Sequence, residues 1–141
     1  MVMQMNSDFI VAVHSLVFLA YAPDNLKTSD NIAKSVAVHP VRVRKVLSLL
    51  RKHGFIQSKH GAKGGFILVQ DPRTITLDKL YVLTSEGSLK PKWPDANQKC
   101  AIGANIEQAM DGIFETTEQR VVANLKDYTI ADVLHRIGEQ D

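Results

Sequence analysis

The chain has 141 residues, 45% of them hydrophobic, which is enough for one domain with a real core and excludes wholesale disorder. Its single cysteine excludes an intrachain disulfide framework and any zinc site built on two or more thiolates. No apolar stretch reaches the roughly 18 residues of a membrane span, and no signal-peptide pattern is present. We therefore expect a soluble, cytoplasmic protein with no membrane partner.

The formal net charge of +2 conceals an uneven distribution of charge along the chain. Residues 27–73 carry ten basic and two acidic side chains, a net charge of +8. The segments 1–26 and 74–141 are both net acidic, at −2 and −4. A basic middle between acidic flanks is typical of a segment that faces a polyanion.

Two predicted helices come first. Apolar residues recur at spacings of three and four across residues 9–20, and His14 within this helix is expected to be a packed, structural histidine. A second helix is expected to begin near Thr28, a good N-cap, and to end shortly before Pro40, which favours the first position of a new helix. Two helices that meet within about four residues are typical of a helix-turn-helix.

The third predicted helix, residues 40–53, has an apolar back and a basic front, as a helix entering a DNA major groove requires. Its N-terminal half is expected to lie deepest in the groove. The residues expected at base edges and phosphates are His39, Val41, Arg42, Arg44 and Lys45. Arg42 and Arg44 are the best candidates for bidentate contacts to guanine, and Lys52 is expected to bind a phosphate.

Two short β-prone runs, residues 55–58 and 66–69, flank a glycine-rich segment. Three glycines within residues 61–65 supply the positive φ angles of a hairpin tip, so a basic wing is predicted directly after the third helix. Such a wing approaches phosphates and enters the minor groove. The candidate DNA-binding residues are completed by Lys59, His60 and Lys63 of the wing and by Thr28.

After a short helix that Thr76 caps, a long helix is predicted to begin near Cys100 or Ile102 and to run to about Leu125. Its length of about 34 Å exceeds what a small winged-helix core needs to cover, so its apolar stripe predicts a second subunit as partner. Packing on the domain's own first helix is the alternative. The candidate dimer-interface residues are Ile102, Ile106, Ala109, Met110, Ile113, Phe114, Thr117 and Val121.

The predicted fold is therefore mainly α with a small β-wing: a winged helix-turn-helix domain plus a long C-terminal dimerisation helix. Residues 1–84 form the DNA-binding domain in this interpretation, residues 85–99 a linker loop, and residues 100–141 the dimerisation helix and a C-terminal helix. No catalytic constellation, metal-ligand pattern or P-loop is found, so the protein is not expected to be an enzyme.

The chain resembles the Rrf-two family of bacterial winged helix-turn-helix regulators, which includes the IscR, NsrR and CymR types. The most specific part of the resemblance is the wing pattern Gly61-x-x-Gly64-Gly65-Phe66-x-Leu68. The remaining matches are Ile32-Ala33, residues 43–50, Gly54-Phe55-Ile56, residues 75–77, Cys100-Ala-Ile-Gly103 and residues 129–134. The resemblance implies a homodimer, paired through the long helix, that binds a near-palindromic operator in double-stranded DNA.

Two departures from the family pattern shape the expectations. Cluster-binding members carry three cysteines between the wing and the long helix, whereas this chain has only Cys100, so no iron–sulfur cluster and no other cofactor is expected. The chain therefore resembles the cluster-less, YwnA-like or CymR-like branch. The family wing usually has arginine where His60 stands, which predicts a weaker or pH-sensitive minor-groove contact.

Cys100 has two interpretations. It follows Lys99 and precedes a helix start, and both features lower a thiol pKa, which suggests a redox or effector-sensing thiol. The alternative is a small residue buried at the helix start.

The expected function is a sequence-specific DNA-binding transcriptional regulator, acting as a repressor, with a small molecule or an oxidant as effector. A winged-helix protein-interaction module without specific DNA binding, and an effector- or cluster-dependent sensor, are the alternatives.

Overall fold

The structure, a computed structural model, describes residues 7–21, 26–61, 64–90 and 92–138. Within these residues it consists of six helices and a two-stranded antiparallel sheet. The elements in chain order are α1 (Asp8–Tyr21), α2 (Ser29–Val36), α3 (Pro40–Lys52), β1 (Ile56–Lys59), β2 (Gly65–Leu68), α4 (Leu77–Ser85), α5 (Ala101–Leu125) and α6 (Ile130–Gly138). The predicted fold class, mainly α with a small β-wing, is confirmed.

The first three helices form the helix-turn-helix around one apolar core. Ile32 of α2 and Leu16 of α1 are fully buried in this core. The turn begins at Ala37, whose φ of 59° lies in the left-handed region and whose N–H bonds to the carbonyl of Ala33. This one left-handed residue ends α2 and lets Pro40 start α3 in a new direction.

The wing pairs β1 with β2 in antiparallel register, with Ile56 opposite Leu68 and Lys59 opposite Gly65. The outer edge of β2 is also paired, because Phe66 and Lys27 exchange two backbone hydrogen bonds of 2.8 and 3.2 Å. The segment before α2 therefore fixes the wing from the side opposite β1. This approach needs Gly65, where a Cβ atom would lie 2.8 Å from the carbonyl oxygen of Lys27.

We expect Gly65→Ala to lower the free energy of unfolding by about 1–3 kcal/mol, because the added methyl group meets backbone that cannot move away alone. Gly112→Ala is the matched control, since a Cβ atom added at this position of α5 would meet no neighbouring atom within 4 Å. That change is expected to raise stability by about 0.5–1 kcal/mol through helix propensity. Urea denaturation of both variants at one protein concentration measures the difference, and equal effects would contradict the close approach at Gly65.

The last three helices pack against different neighbours. Helix α5 packs mainly against α4, whereas the alternative considered from the sequence was α1. Helix α6 returns to α1, and its first residue, Ile130, is fully buried in the core. The predicted division of the chain into a DNA-binding domain and a dimerisation region that begins at residue 100 remains a prediction. Within the described residues, α6 packs against α1 of the winged-helix core.

The N-cap residues of α4 and α6 differ in the hydrogen bonds that their side chains make. Thr129 caps α6, because its hydroxyl accepts a hydrogen bond from the N–H of Asp132 at 3.1 Å. Asp132 returns the contact by accepting a hydrogen bond from the N–H of Thr129 at 2.9 Å. Thr76 stands at the N-cap position of α4, as predicted, but its side chain makes no capping hydrogen bond. Its backbone instead pairs with Thr129, which joins the start of α4 to the start of α6.

His14 of α1 contacts α2. Its Nε2 is 2.7 Å from the hydroxyl oxygen of Ser35, and partial burial lowers the pKa of the imidazole. The same side of α1 forms, with α6, an apolar groove of about 320 Å³ that includes Phe18 and Leu134. None of the described helices is both long and apolar enough to cross a membrane.

Candidate nucleic-acid interface

Helix α3 presents a positively charged side to solvent. It is held against the core by four residues that are each 1% exposed or less: Val43, Val46, Leu47 and Leu50. Its exposed side carries Arg44, Lys45, Ser48, Arg51 and Lys52. Val41, in the first turn, is 59% exposed beside them. An apolar back and a cationic front on one short helix suit contacts to phosphates and base edges.

The wing continues this charged side. Lys59 and His60 are exposed at the end of β1 and just beyond it, whereas Lys63 lies outside the described residues. Arg51 donates a hydrogen bond of 3.2 Å to the hydroxyl of Ser58, which joins the last turn of α3 to β1. These basic residues of α3 and the wing together form the "basic front": Arg44, Lys45, Arg51, Lys52, Lys59 and His60.

Arg51 lies on the basic front, although it was not among the residues predicted to contact DNA. Its spacing of seven from Arg44 puts both side chains on one side of a helix. That spacing was the available signal. The contact with Ser58 depends on how the wing docks on α3, and helical periodicity alone does not contain that information.

Arg42 has a different partner from the predicted one. Its Nε donates to Oδ1 of Asp8 at 3.0 Å, its Nη2 lies 3.0 Å from the same oxygen, and its guanidinium also contacts Ser7. Both partners belong to the start of α1. The guanidinium is thus directed at α1, and the prediction that it reads a guanine is not supported by its position.

Thr28 and His39 use their side chains to cap helices. The Thr28 hydroxyl accepts from the N–H of Asn31 at 3.0 Å, and the Asn31 side chain accepts from the N–H of Thr28 at 3.1 Å. Nδ1 of His39 accepts from the N–H of Val41 at 3.1 Å. Both residues therefore set the starts of α2 and α3, beside the basic front, and their predicted DNA contacts remain predictions.

The apolar stripe of α5 is divided between two faces. One face, on which Met110, Phe114 and Val121 lie, is half-buried, and Val121 packs against the core. The other face is exposed and carries Ile102, Ile106, Ala109, Ile113 and Thr117. On this face Ile102 is 72% and Ile113 57% exposed. The predicted dimer-interface set therefore includes three residues that are half-buried in the chain and five that are exposed.

Glu118 fastens the packed face of α5 to the neighbouring helix. Its carboxylate accepts a hydrogen bond of 3.1 Å from the hydroxyl of Tyr81 and another from the N–H of Gly87. Tyr81 is fully buried, and its pKa is raised chiefly by burial and also by the adjacent carboxylate. The role of Glu118 was missed in the sequence, where a glutamate on a long helix is normally a solvated charge.

Cys100 stands at the N-cap position of α5 and is exposed. The alternative that it is a buried residue was therefore wrong. Its thiol makes no capping hydrogen bond, but the backbone N–H groups of Gly103 and Ile102 favour the thiolate and lower the pKa of Cys100. Exposure and a lowered pKa are two properties that favour the oxidation of a thiol.

A winged helix-turn-helix in which α3 and the wing carry basic side chains is typical of a class of DNA-binding transcriptional regulators. Within this class, the chain belongs to the Rrf2 (Rrf-two) family. The family's sequence profile, described as "Iron-dependent Transcriptional regulator", matches residues 5–136. The family consists of regulators of transcription and not of enzymes.

Individual relatives agree with this assignment. The HTH-type transcriptional regulator YwnA of Bacillus subtilis is 32% identical over 133 residues, which cover 94% of this chain and 98% of the relative. The crystal structure of a transcriptional regulator from Lactobacillus plantarum is 30% identical and superimposes with a TM-score of 0.81 over 95% of this chain and 91% of the other. T. potens IscR, 22% identical, shares the fold with a TM-score of 0.74 over 98% and 90% of the two chains.

The iron in the family's description can be tested against the ligands that this chain offers. Iron–sulfur clusters are held by about four ligands, mostly cysteine thiolates, and this chain has one cysteine in its whole sequence. Across residues 7–21, 26–61, 64–90 and 92–138, no group of three His, Cys, Asp or Glu side chains is close enough to hold a metal ion. The donor set does not fit an iron–sulfur cluster.

Proposed function

We propose that this protein is a homodimeric repressor of transcription that binds a near-palindromic DNA operator with sequence specificity. The observation that carries the proposal is the basic front, in which the exposed cations of α3 and of the wing lie on elements joined by the Arg51–Ser58 hydrogen bond. A cationic helix and hairpin held together in this way match the two grooves of one DNA face.

The residues of the basic front divide into two roles. Arg44 lies in the N-terminal half of α3, where a guanidinium is able to make a bidentate contact with guanine. Lys52 and Lys59 lie nearer the C-terminal end of α3 and in the wing, where they bind phosphates and contribute affinity without sequence information. Arg44 and Lys45 are therefore assigned to specificity.

The dimer is proposed to form through the exposed face of α5. Three isoleucines, Ile102, Ile106 and Ile113, are 38% to 72% exposed on this face, and a two-fold axis would cover both copies at once. Two modules related in this way read half-sites about 34–36 Å, or a multiple of that distance, apart. The operator is thus expected to be an inverted repeat.

The test is selection of duplexes from a random pool, followed by fluorescence anisotropy on the selected duplex and a scrambled one. The reduced protein is measured at about 50 and 150 mM salt, because phosphate contacts weaken steeply over this range. Recovery of an inverted repeat, with tight binding that persists at the higher salt, is the expected result. Equal, salt-labile binding to both duplexes would favour a protein-interaction module.

Regulation is proposed to act through Cys100 without a resident cluster. Hydrogen peroxide oxidises the thiolate to a sulfenic acid, and the hydroxide that leaves is protonated to water. A low-molecular-weight thiol then displaces water from the sulfenic acid and forms a mixed disulfide with Cys100. The added group stands at the first turn of α5, beside the proposed dimer face.

Cys100→Ser is expected to leave operator affinity within about twofold of wild type and to remove the response to peroxide plus thiol, because no other thiol is present. Anisotropy before and after oxidation measures the response, and intact-mass spectrometry verifies the adduct. A response that persists in the serine variant would show that oxidation acts elsewhere, for example on methionine.

The lowered pKa of Cys100 predicts the pH dependence of its alkylation. Since the folded chain favours the thiolate, the rate of reaction with iodoacetamide should reach its half-maximum at a lower pH than in the urea-unfolded chain. Rates measured from about pH 6 to pH 10 in both states test this expectation. Coincident profiles would contradict an activated thiol and leave only its exposure.

A further inference from the structure

We propose that Asp8 is a positioning residue for DNA recognition: it holds Arg42 and thereby fixes the N-terminal turn of α3 against α1. Arg42 then acts through this tie and does not read a base. The proposal deepens the proposed function and rests on it for the DNA measurements. It assigns a role to a carboxylate near the basic front, where a negative charge would otherwise only oppose DNA binding.

The geometry of the pair supports a fixed contact. Two nitrogens of Arg42, Nε and Nη2, each lie 3.0 Å from Oδ1 of Asp8, and Ser7 provides a further acceptor for the guanidinium. The Asp8 side chain is only 23% exposed and that of Arg42 39%. A partly shielded pair with several contacts holds its geometry better than the usual single contact at a surface.

The position of the pair in the fold explains why it matters. Arg42 lies in the first turn of α3, the part of a recognition helix that enters the groove deepest. Its backbone N–H and that of Val43 both bond to the carbonyl of His39. Movement of this turn would displace Arg44 and Lys45. The ion pair of Arg42 with Asp8 therefore determines where both side chains meet the bases.

The anchor at Asp8 is itself held firmly. The next residue, Phe9, is buried and meets the ring of Tyr81 edge-to-face, with centroids 5.8 Å apart and planes at 82°. Tyr81 donates to Glu118 of α5. The start of α1 is therefore packed on α4, which is hydrogen-bonded to the proposed dimerisation helix. Arg42 is therefore paired with a residue whose helix, α1, is packed against α4.

Electrostatics alone predicts the opposite effect for Asp8. Its carboxylate lines a surface depression together with Lys45 and Lys52, two cations of the basic front. A negative charge at that place repels phosphates, so its removal should strengthen binding to any DNA. A positioning role predicts weaker binding to the operator. The two hypotheses differ in sign, and one substitution separates them.

The experiment uses the full chain with the selected operator and a scrambled duplex. Asp8→Asn keeps the shape of the side chain and removes its charge, and we expect an operator affinity about tenfold lower with scrambled-duplex affinity unchanged or higher. Asp8→Glu should stay within about twofold of wild type. Asp30→Asn is the matched control. Asp30 lies in the first turn of α2, as Asp8 does in α1, and its side chain is exposed.

The double variant D8N/R42Q tests whether the two residues act as one unit. If Arg42 works only through Asp8, D8N should add nothing to the operator-affinity loss caused by R42Q. A repeated duplex selection with R42Q should recover the same base sequence. An altered base preference at one operator position would overturn the proposal, because it would show that Arg42 reads that base.

A measurement without DNA keeps the proposal separate from the proposed function. Hydrogen exchange of the Arg42 and Val43 amides should be faster in D8N than in wild type and D30N, whether or not an operator is found. Unchanged exchange rates in a folded D8N chain would overturn the proposal that Asp8 holds the first turn of α3 in place. If D8N does not fold, R42K is used instead, since it keeps the charge, lacks the guanidinium geometry and should also accelerate exchange.

Discussion

Replacing Arg44 and Lys45 with alanine is expected to abolish discrimination between operator and scrambled DNA while the dimer remains intact. Both side chains are exposed on the N-terminal half of α3, away from the apolar core. A good bidentate contact to a base contributes about 1–3 kcal/mol of discrimination. Loss of two such side chains in each subunit should weaken operator binding at least about a hundredfold.

The control for this double variant is Lys126→Ala, which removes a lysine that follows α5 and is far in sequence from the basic front. It should change operator affinity by no more than about threefold. Anisotropy gives the affinities, and light scattering after gel filtration gives the oligomeric state. Operator affinity near that of wild type in the double variant would show that α3 does not read the bases.

Ile113→Glu is expected to convert the proposed dimer to a monomer. Ile113 is 57% exposed within the chain and stands in the middle of the uncovered face of α5. In a dimer paired through this face, the new carboxylate would be buried without a partner, which costs several kcal/mol. The dissociation constant of the dimer should therefore rise at least about a hundredfold.

The expected consequence for DNA is a loss of operator affinity without loss of fold, since a monomer binds only one half-site. Gln108→Glu is the matched control, because it adds the same charge to an exposed position on a different side of α5. Analytical ultracentrifugation over a range of protein concentrations distinguishes the two variants. A dimer that persists in I113E would place the interface on another surface of the chain.

The local structure of this protein follows from its sequence because the signals are local. Thr28 before α2, Pro40 at the start of α3 and the glycines of the wing each act within a few residues, through caps, fixed φ angles and turns. The predicted bounds of α3 and α5 therefore agree with the observed bounds to within about one residue at each end. The same signals carried the family resemblance that the comparisons confirm.

The exposure of the basic front was predictable for the same reason. Helical periodicity sets which side of α3 is apolar, and the apolar side must face the core. Arg44 and Lys45 lie on the opposite side of the helix and therefore face away from the core. Cys100 differs, because its place at a helix start was predicted but its exposure depends on whether another element covers that start.

Only the tertiary structure decided which distant residues meet. Arg42 looked like Arg44 in the sequence, yet it contacts Asp8, 34 positions away, because α1 docks beside the first turn of α3. The apolar stripe of α5 was visible as a whole, but its division into a packed and an uncovered face depends on the position of α4. A sequence pattern determines the faces of a helix, whereas docking angles and the partner of each face result from packing of the whole core.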